Sequence, residues 1–196
     1  GRLAPDKGPD LFVEALARLA EPVHAFVVGE GRLRRALERR VREVRLGRCV
    51  TFTGWQREPG RWVAGASVFV QPSREEAWSQ STVLAMALGT PVVAAAVEGL
   101  PGVLAAGRGI LVDPENPAAI AAAIADVLAG RRRPDTDAAL QYAATFTPDL
   151  VAGGYATAYR QLLAAPDARR TEVRHRQPRL PTGQARHAEG DQERRG

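Results

Sequence analysis

Apolar residues recur at helical spacing from Pro9 to Ala20, where Leu11, Phe12, Ala15, Leu16 and Leu19 fall on one side and Pro9 suits the first turn. Val23–Val28 is a short run of strand type that closes on Gly29-Glu30-Gly31. Arg32–Leu46 predicts a charged amphipathic helix with Leu33, Leu37, Val41 and Val44 on one side. Val50–Thr53, ending at Gly54, and Ser67–Gln71, ending at Pro72, predict two more strands. Ser81–Leu88 is helical, with Gly89 just beyond its end. Val92–Ala95 and Ile110–Val112 are further short strands, and Pro117–Ala129 is an alanine-rich helix stopped by Gly130. Ala138–Thr145 and Pro148–Ala165 predict two terminal helices, the second with Thr147 as its N-cap. Short apolar strands alternating with helices predict the α/β class: a doubly wound, Rossmann-like parallel sheet with helices on both faces. Ligands of such sheets bind beyond the carboxyl ends of the strands, so Gly29, Gly54, Ser73–Glu76 and Glu98–Pro101 are the first positions of interest.

The organisation follows from length and composition. Of the 196 residues, 45% are hydrophobic and 25% charged, a globular balance that excludes fibrous and fully disordered chains. Residues 1–165 are expected to form one domain. Residues 166–196 hold few large apolar side chains and are expected to be a disordered, arginine-rich tail. That tail carries 8 arginines against 5 acids, leaving residues 1–165 only two charges positive of the total +5. The charge therefore gives nucleic-acid binding no support, and none is expected. The longest mainly apolar stretch, Val83 to Val97, is broken by Gly89, Thr90 and Pro91, short of the roughly 18 residues of a membrane span. Cys49 is the single cysteine, which excludes an internal disulfide and a cysteine-built zinc site and points to a reducing, cytoplasmic setting. No basic-then-apolar signal segment opens the chain. Because it begins with Gly1 and its one methionine is the interior Met86, it is expected to be a fragment.

Three stretches could carry chemistry. Gly29-Glu30-Gly31 lies between a strand and a helix, but Arg34 stands where the third glycine of G-x-G-x-x-G belongs. A tight turn is the better explanation. Arg2 and Lys7 lie in a loop leading into a helix, and a guanidinium fork and an ammonium point charge both suit a diphosphate. The alternative is two solvated loop residues; against it, Lys7 is the only lysine beside 26 arginines. Pro72 to Leu84 runs from a strand end into a helix, so free backbone N–H groups would face the ligand crevice. Glu76 there could accept hydrogen bonds from sugar hydroxyls, or could simply favour the helix dipole.

Taken in order, Gly1-Arg2-Leu3 with Lys7-Gly8, Val27-Val28-Gly29-Glu30-Gly31, Val50-Thr51-Phe52-Thr53-Gly54, Pro72-Ser73 and Glu76 resemble the C-terminal, donor-binding domain of a GT-B glycosyltransferase. Ala85 to Val93, Gly99-Leu100-Pro101 and Gly109-Ile110-Leu111-Val112 extend the match, which covers roughly residues 1–165 and is most similar to glycosyltransferase family 4. The resemblance implies a retaining glycosyltransferase of hexosyltransferase type that uses a nucleotide-diphosphate sugar as co-substrate, with no other cofactor and no metal. It implies that Arg2, Lys7 and the backbone of Trp78, Ser79 and Gln80 bind the donor diphosphate and that Glu76 contacts the donor sugar. The nucleobase is implied near Gly54, Trp55 and Gln56. Two departures stand out. Leu84 occupies the place of the second glutamate of the E-x7-E motif, which normally binds the ribose hydroxyls. The second is that this stretch is expected to lack the family's N-terminal acceptor-binding domain and the strand that would precede Gly1, so Val23–Val28 and Val92–Ala95 are expected to flank a gap. The expected setting is cytoplasmic, with the inner membrane surface as a further location if the acceptor is a lipid. The competing readings are a nucleotide-sugar epimerase of GT-B fold and a non-catalytic module that binds a nucleotide sugar or a partner.

Overall fold

The structure is a computed structural model and describes residues 1–164. The expected tail over 166–196 lies outside the described residues. Residues 1–151 form one compact unit, and a second begins at Ala152.

In the first unit the strands are β1 (Ala25–Val28), β2 (Val50–Gly54), β3 (Phe69–Gln71), β4 (Val92–Ala95) and β5 (Ile110–Val112). The helices are α1 (Pro9–Leu16), α2 (Arg34–Glu43), α3 (Gly60–Ala64), α4 (Gln80–Ala87), α5 (Leu100–Val103), α6 (Pro117–Leu128) and α7 (Thr136–Ala143). Helix α8 (Pro148–Ala164) runs on into the second unit, where Tyr155 and Tyr159 stack with ring centroids 6.4 Å apart. Side-chain caps set several starts: Ser79, Asn116 and Asp135 accept the N–H groups of Thr82, Ala119 and Ala138. Helix α1 ends at Leu16, short of Ala20, because Arg18 and Leu19 donate to the carbonyls three residues back and tighten the last turn. Helix α2 stops at Glu43 because Arg45 turns left-handed, φ 61°. Helices α3 and α5 have five and four residues, too short for a periodic pattern to reveal.

Strand β4 is buried along its whole length. Its Val93, with Ile110 and Val112 of β5, packs on Leu11 and Ala15 of α1 and on Ile120 and Ile124 of α6. The alternate residues Val92 and Ala94 pack on α4, α5 and α7 through Met86, Leu100 and Ala139. Successive side chains of a strand face opposite ways, so an unbroken apolar run requires helices on both faces, and they are there. A third core joins Ala25, Val27 and Val50 of β1 and β2 to Val13 and Leu16 of α1 and Leu37 and Val41 of α2.

All strand pairs are parallel, but they form two sheets, β1-β2 and β3-β4-β5. A cavity of about 1090 Å³ lies along Ala25–Val28 of β1 and Phe69–Gln71 of β3. The gap is thus flanked by β1 and β3, and the expectation of β1 and β4 is corrected. Strand β4 pairs with β3 on one side and β5 on the other, as its fully buried run demands. Strand β3 is three residues long and only partly buried, consistent with an edge. The Gly29-Glu30-Gly31 turn has a packing cause: a Cβ at Gly29 would overlap the Gly1 carbonyl, and one at Gly31 the backbone of Leu3. Leu3 threads through this contact, donating its N–H to the Glu30 carbonyl (2.8 Å) and accepting from Leu33 (3.0 Å).

Candidate functional site

Lys7 ends a short 3-10 turn, Pro5–Lys7, in which Lys7 N–H donates to the Ala4 carbonyl and Gly8 N–H to that of Pro5. Gly8 has φ 60°, and a Cβ there would overlap the Pro72 carbonyl, so the turn lies directly on the exit of β3. This close approach aims the Lys7 Nζ at the next loop, where it donates to Glu76 Oε2 at 2.9 Å and to the Glu75 carbonyl at 3.4 Å.

Glu76 is only 8% exposed and its Oε2 accepts three hydrogen bonds. Besides Lys7, the side chains of Gln71 (Nε2, 3.0 Å) and Ser73 (Oγ, 3.2 Å) donate to it. Among the described residues no group donates to its other oxygen, Oε1. Gln71 Nε2 also donates to Ser73 Oγ at 2.7 Å, and the Ser81 hydroxyl donates to Gln71 Oε1 at 3.0 Å, so one polar network runs from the Lys7 turn to α4. The backbone of Glu76 is gripped by the β4–α5 loop: its N–H donates to Glu98 Oε2 at 2.6 Å and its carbonyl accepts from Gly99 at 3.3 Å. Glu98 adopts φ 42°, a conformation of stored strain that this pair of contacts holds in place.

The segment then reaches α4. Ser79 is the N-cap, so the N–H groups of Gln80 and Ser81 have no carbonyl in their own helix. Trp78 packs edge-on against Phe146 (centroids 4.6 Å apart), Phe146 packs against Tyr142 (5.1 Å), and the Arg108 guanidinium lies 4.0 Å over the Tyr142 ring.

Arg2, Lys7, Glu76, Trp78, Ser79 and Gln80 all line the same cavity, so the structure brings these six expected residues together. Arg2 is the most exposed of its cations, with its side chain 71% accessible and paired to Asp6 at 2.8 Å. Gly54, Trp55 and Gln56 are not among the lining residues. Gly54 ends β2, where its carbonyl accepts from Gly29; Trp55 is 73% exposed, and the Gln56 side chain donates to the Thr53 carbonyl. Leu84 is partly buried and forms part of the cavity wall.

Two contributors, Gln71 and Arg74, were given no role by the sequence, although Arg74 lies within the Ser73–Glu76 stretch it marked. Gln71 is a polar residue closing an apolar strand and is buried, a pattern that marks a required hydrogen-bond partner. Arg74 clamps Asp10 in a two-pronged ion pair (2.9 and 2.7 Å) and reaches Glu115 Oε1 at 2.7 Å. The hydrogen bond from Arg74 holds the Asp10 carboxyl below its usual range despite partial burial, and the same bond, with that to Glu115, raises the guanidinium further. Among the described residues no group of three or more His, Cys, Asp and Glu side chains is placed to hold a metal ion. No helix among them is long and apolar enough to cross a membrane.

Comparison with known proteins gives a consistent result. The chain is 35% identical over 175 residues to the D-inositol 3-phosphate glycosyltransferase of Segniliparus rotundus, covering 83% of this chain but 39% of that protein. The chain thus spans about two fifths of the length of such relatives. Among solved structures, Anabaena HepE in complex with UDP and glucose superposes with a TM-score of 0.69 at 25% identity, over 74% of this chain and 42% of HepE. The C-terminal domain of a glycosyl transferase group 1 family protein, LpcC from Francisella tularensis, shares the fold with a TM-score of 0.66 at 22% identity, over 74% of this chain and 82% of that domain. Residues 1–130 match the family model described as "Glycosyl transferases group 1". With a parallel α/β core, a shared fold and two thirds of its length inside that model, the chain belongs to the glycosyl transferases group 1 family.

Proposed function

We propose that this chain is the donor-binding half of a retaining glycosyltransferase that moves a sugar from a nucleotide diphosphate to an acceptor. The observation that carries the reading is the convergence of the Lys7 ammonium, the Glu76 carboxylate and the start of α4 on one cavity wall. Lys7 and the N–H groups of Trp78, Ser79 and Gln80 take the diphosphate, since a cation beside a helix start is a favourable anion site. Arg2 joins them: its exposed pair with Asp6 is worth little, so a phosphate displaces it at small cost. As the bond from the anomeric carbon to the diphosphate oxygen breaks and the acceptor oxygen bonds in its place, the acceptor's proton passes to the departing phosphate oxygen and these groups hold the charge that remains on the diphosphate. Glu76 orients the donor sugar. Its Oε2 is occupied by Lys7, Gln71 and Ser73, which leaves Oε1 to accept a sugar hydroxyl. The nucleobase lies towards Gly54, Trp55 and Gln56.

The LpcC C-terminal domain, of which this chain covers 82%, supports placing it in the C-terminal half. The UDP and glucose bound to HepE support a nucleotide-sugar donor. The acceptor is held by a part of the protein outside this chain. Calorimetric titration of the 196-residue chain with UDP, GDP and ADP tests the reading. At least one should bind wild type and lose affinity in Lys7→Ala; equal binding by both proteins sinks the assignment of Lys7.

A further inference from the structure

We infer that Arg74 is a positioning residue, one that fixes Lys7 against Glu76 without itself meeting the nucleotide; the inference rests on the donor-site reading above. The turn that carries Lys7 has three residues and little hydrogen bonding of its own. Much of what holds it comes from Arg74 and the residue after it. Arg74 Nη1 donates to the Pro5 carbonyl at 2.9 Å, and the Arg74 and Glu75 N–H groups donate to the Asp6 carbonyl at 2.9 and 3.2 Å. The guanidinium then forks onto Asp10 in the first turn of α1, and its Nε reaches Glu115 in the loop between β5 and α6. Four of its five N–H groups are used, on three separate segments of chain. Lys7 stands two residues after Pro5 and Glu76 two after Arg74, so the clamp sets the spacing between ammonium and carboxylate.

Charge and place separate this role from anion binding. Two carboxylates, Asp10 and Glu115, already face the Arg74 guanidinium, so it has no net charge to offer a phosphate. Arg74 is also absent from the lining of the cavity that Arg2 and Lys7 share. A planar fork with fixed N–H directions is needed to reach all these acceptors at once, which an ammonium cannot do.

The test is calorimetric titration of the 196-residue chain with UDP, with melting temperatures recorded for each variant. Arg74→Ala should raise the Kd for UDP about tenfold, and Arg74→Lys should recover only part of that loss. Because the effect passes through Lys7, adding Arg74→Ala to Lys7→Ala should change the remaining affinity by less than about twofold. A merely structural role would weaken binding equally in both backgrounds. If Arg74→Ala melts without cooperativity, Asp10→Asn decides: it loosens the clamp from the α1 side and should weaken UDP binding about threefold. Arg74→Ala or Asp10→Asn binding UDP as wild type does, or equal losses in the two backgrounds, would overturn the inference while the donor site stands. Where wild type binds GDP or ADP and not UDP, the same variants are compared with that nucleotide; wild type that binds none of the three, or Lys7→Ala that binds undiminished, removes the donor-site reading and the inference with it.

Discussion

The Lys7 ammonium sits 2.9 Å from Glu76 Oε2, although the two residues are 69 positions apart in the chain. With Glu76 only 8% exposed, this contact neutralises a carboxylate that burial would otherwise penalise. Lys7→Ala should therefore weaken nucleotide-diphosphate binding by roughly 1.5–3 kcal/mol, the range for hydrogen bonds to charged groups, and also lower the melting temperature. Adding Glu76→Gln should restore part of the lost stability, because an amide needs no counter-charge, and none of the binding. Thermal melts and titrations of the single and double variants check both statements.

Gly8 links Lys7 to α1 with φ 60°, and its Cα faces the Pro72 carbonyl with no room for a methyl group. Gly8→Ala should destabilise the fold by about 1–3 kcal/mol, from backbone strain and from displacement of the turn. Since Lys7 moves with the turn, UDP affinity should fall as well. A variant that melts and binds like wild type would show that the turn is not seated on β3.

Leu84 forms part of the cavity wall and is only partly buried, so a carboxylate there remains in reach of water. Leu84→Glu should keep a cooperative melt, unlike an acid placed in the core, which would cost several kcal/mol. If the ribose lies against this wall, the new acceptor should tighten UDP binding by about 0.5–1.5 kcal/mol. Melting with and without UDP separates the outcomes: a large fall with no ligand gain means that position 84 does not face the ribose.

Acid should release the Arg74 clamp. The Asp10 carboxyl is held below its ordinary value, first by its hydrogen bond from Arg74 and then by that cation's charge, against opposing desolvation. A depressed folded-state pKa gives stability that is complete above the unfolded value, about 3.9, and is lost as pH falls through the folded value. Asp10→Asn should therefore lower stability at neutral pH and flatten its pH dependence below about pH 4. Denaturant melts of both proteins between pH 2 and 7 measure the difference.

The 196-residue chain by itself should transfer no sugar. Positioning of two substrates supplies much of the rate in such a reaction, and under the proposed reading the cavity holds the donor alone. Incubation with UDP-glucose and candidate acceptors, followed by mass spectrometry of the products, tests this. Transfer at a rate above hydrolysis would contradict the two-part site.

The sequence by itself determined the order along the chain of the strands and the longer helices, the glycine stop at Gly89, and the strand ends where function would sit. It also marked Lys7 and Glu76, one by its rarity and both by family resemblance. These signals are short-ranged: a helical stripe, a capping residue or a turn is written within a few neighbouring positions. Only the tertiary structure decided that Lys7 and Glu76 form an ion pair, that Gln71 and Ser73 donate to the same carboxylate oxygen, and that Arg74 ties the two loops together. It also decided that β3, and not β4, borders the cavity beside β1. Such facts depend on which strands become neighbours. Burial patterns constrain that choice, as β4's unbroken apolar run does once it lies between β3 and β5, but the partner of a buried polar group is fixed only when segments tens of residues apart meet.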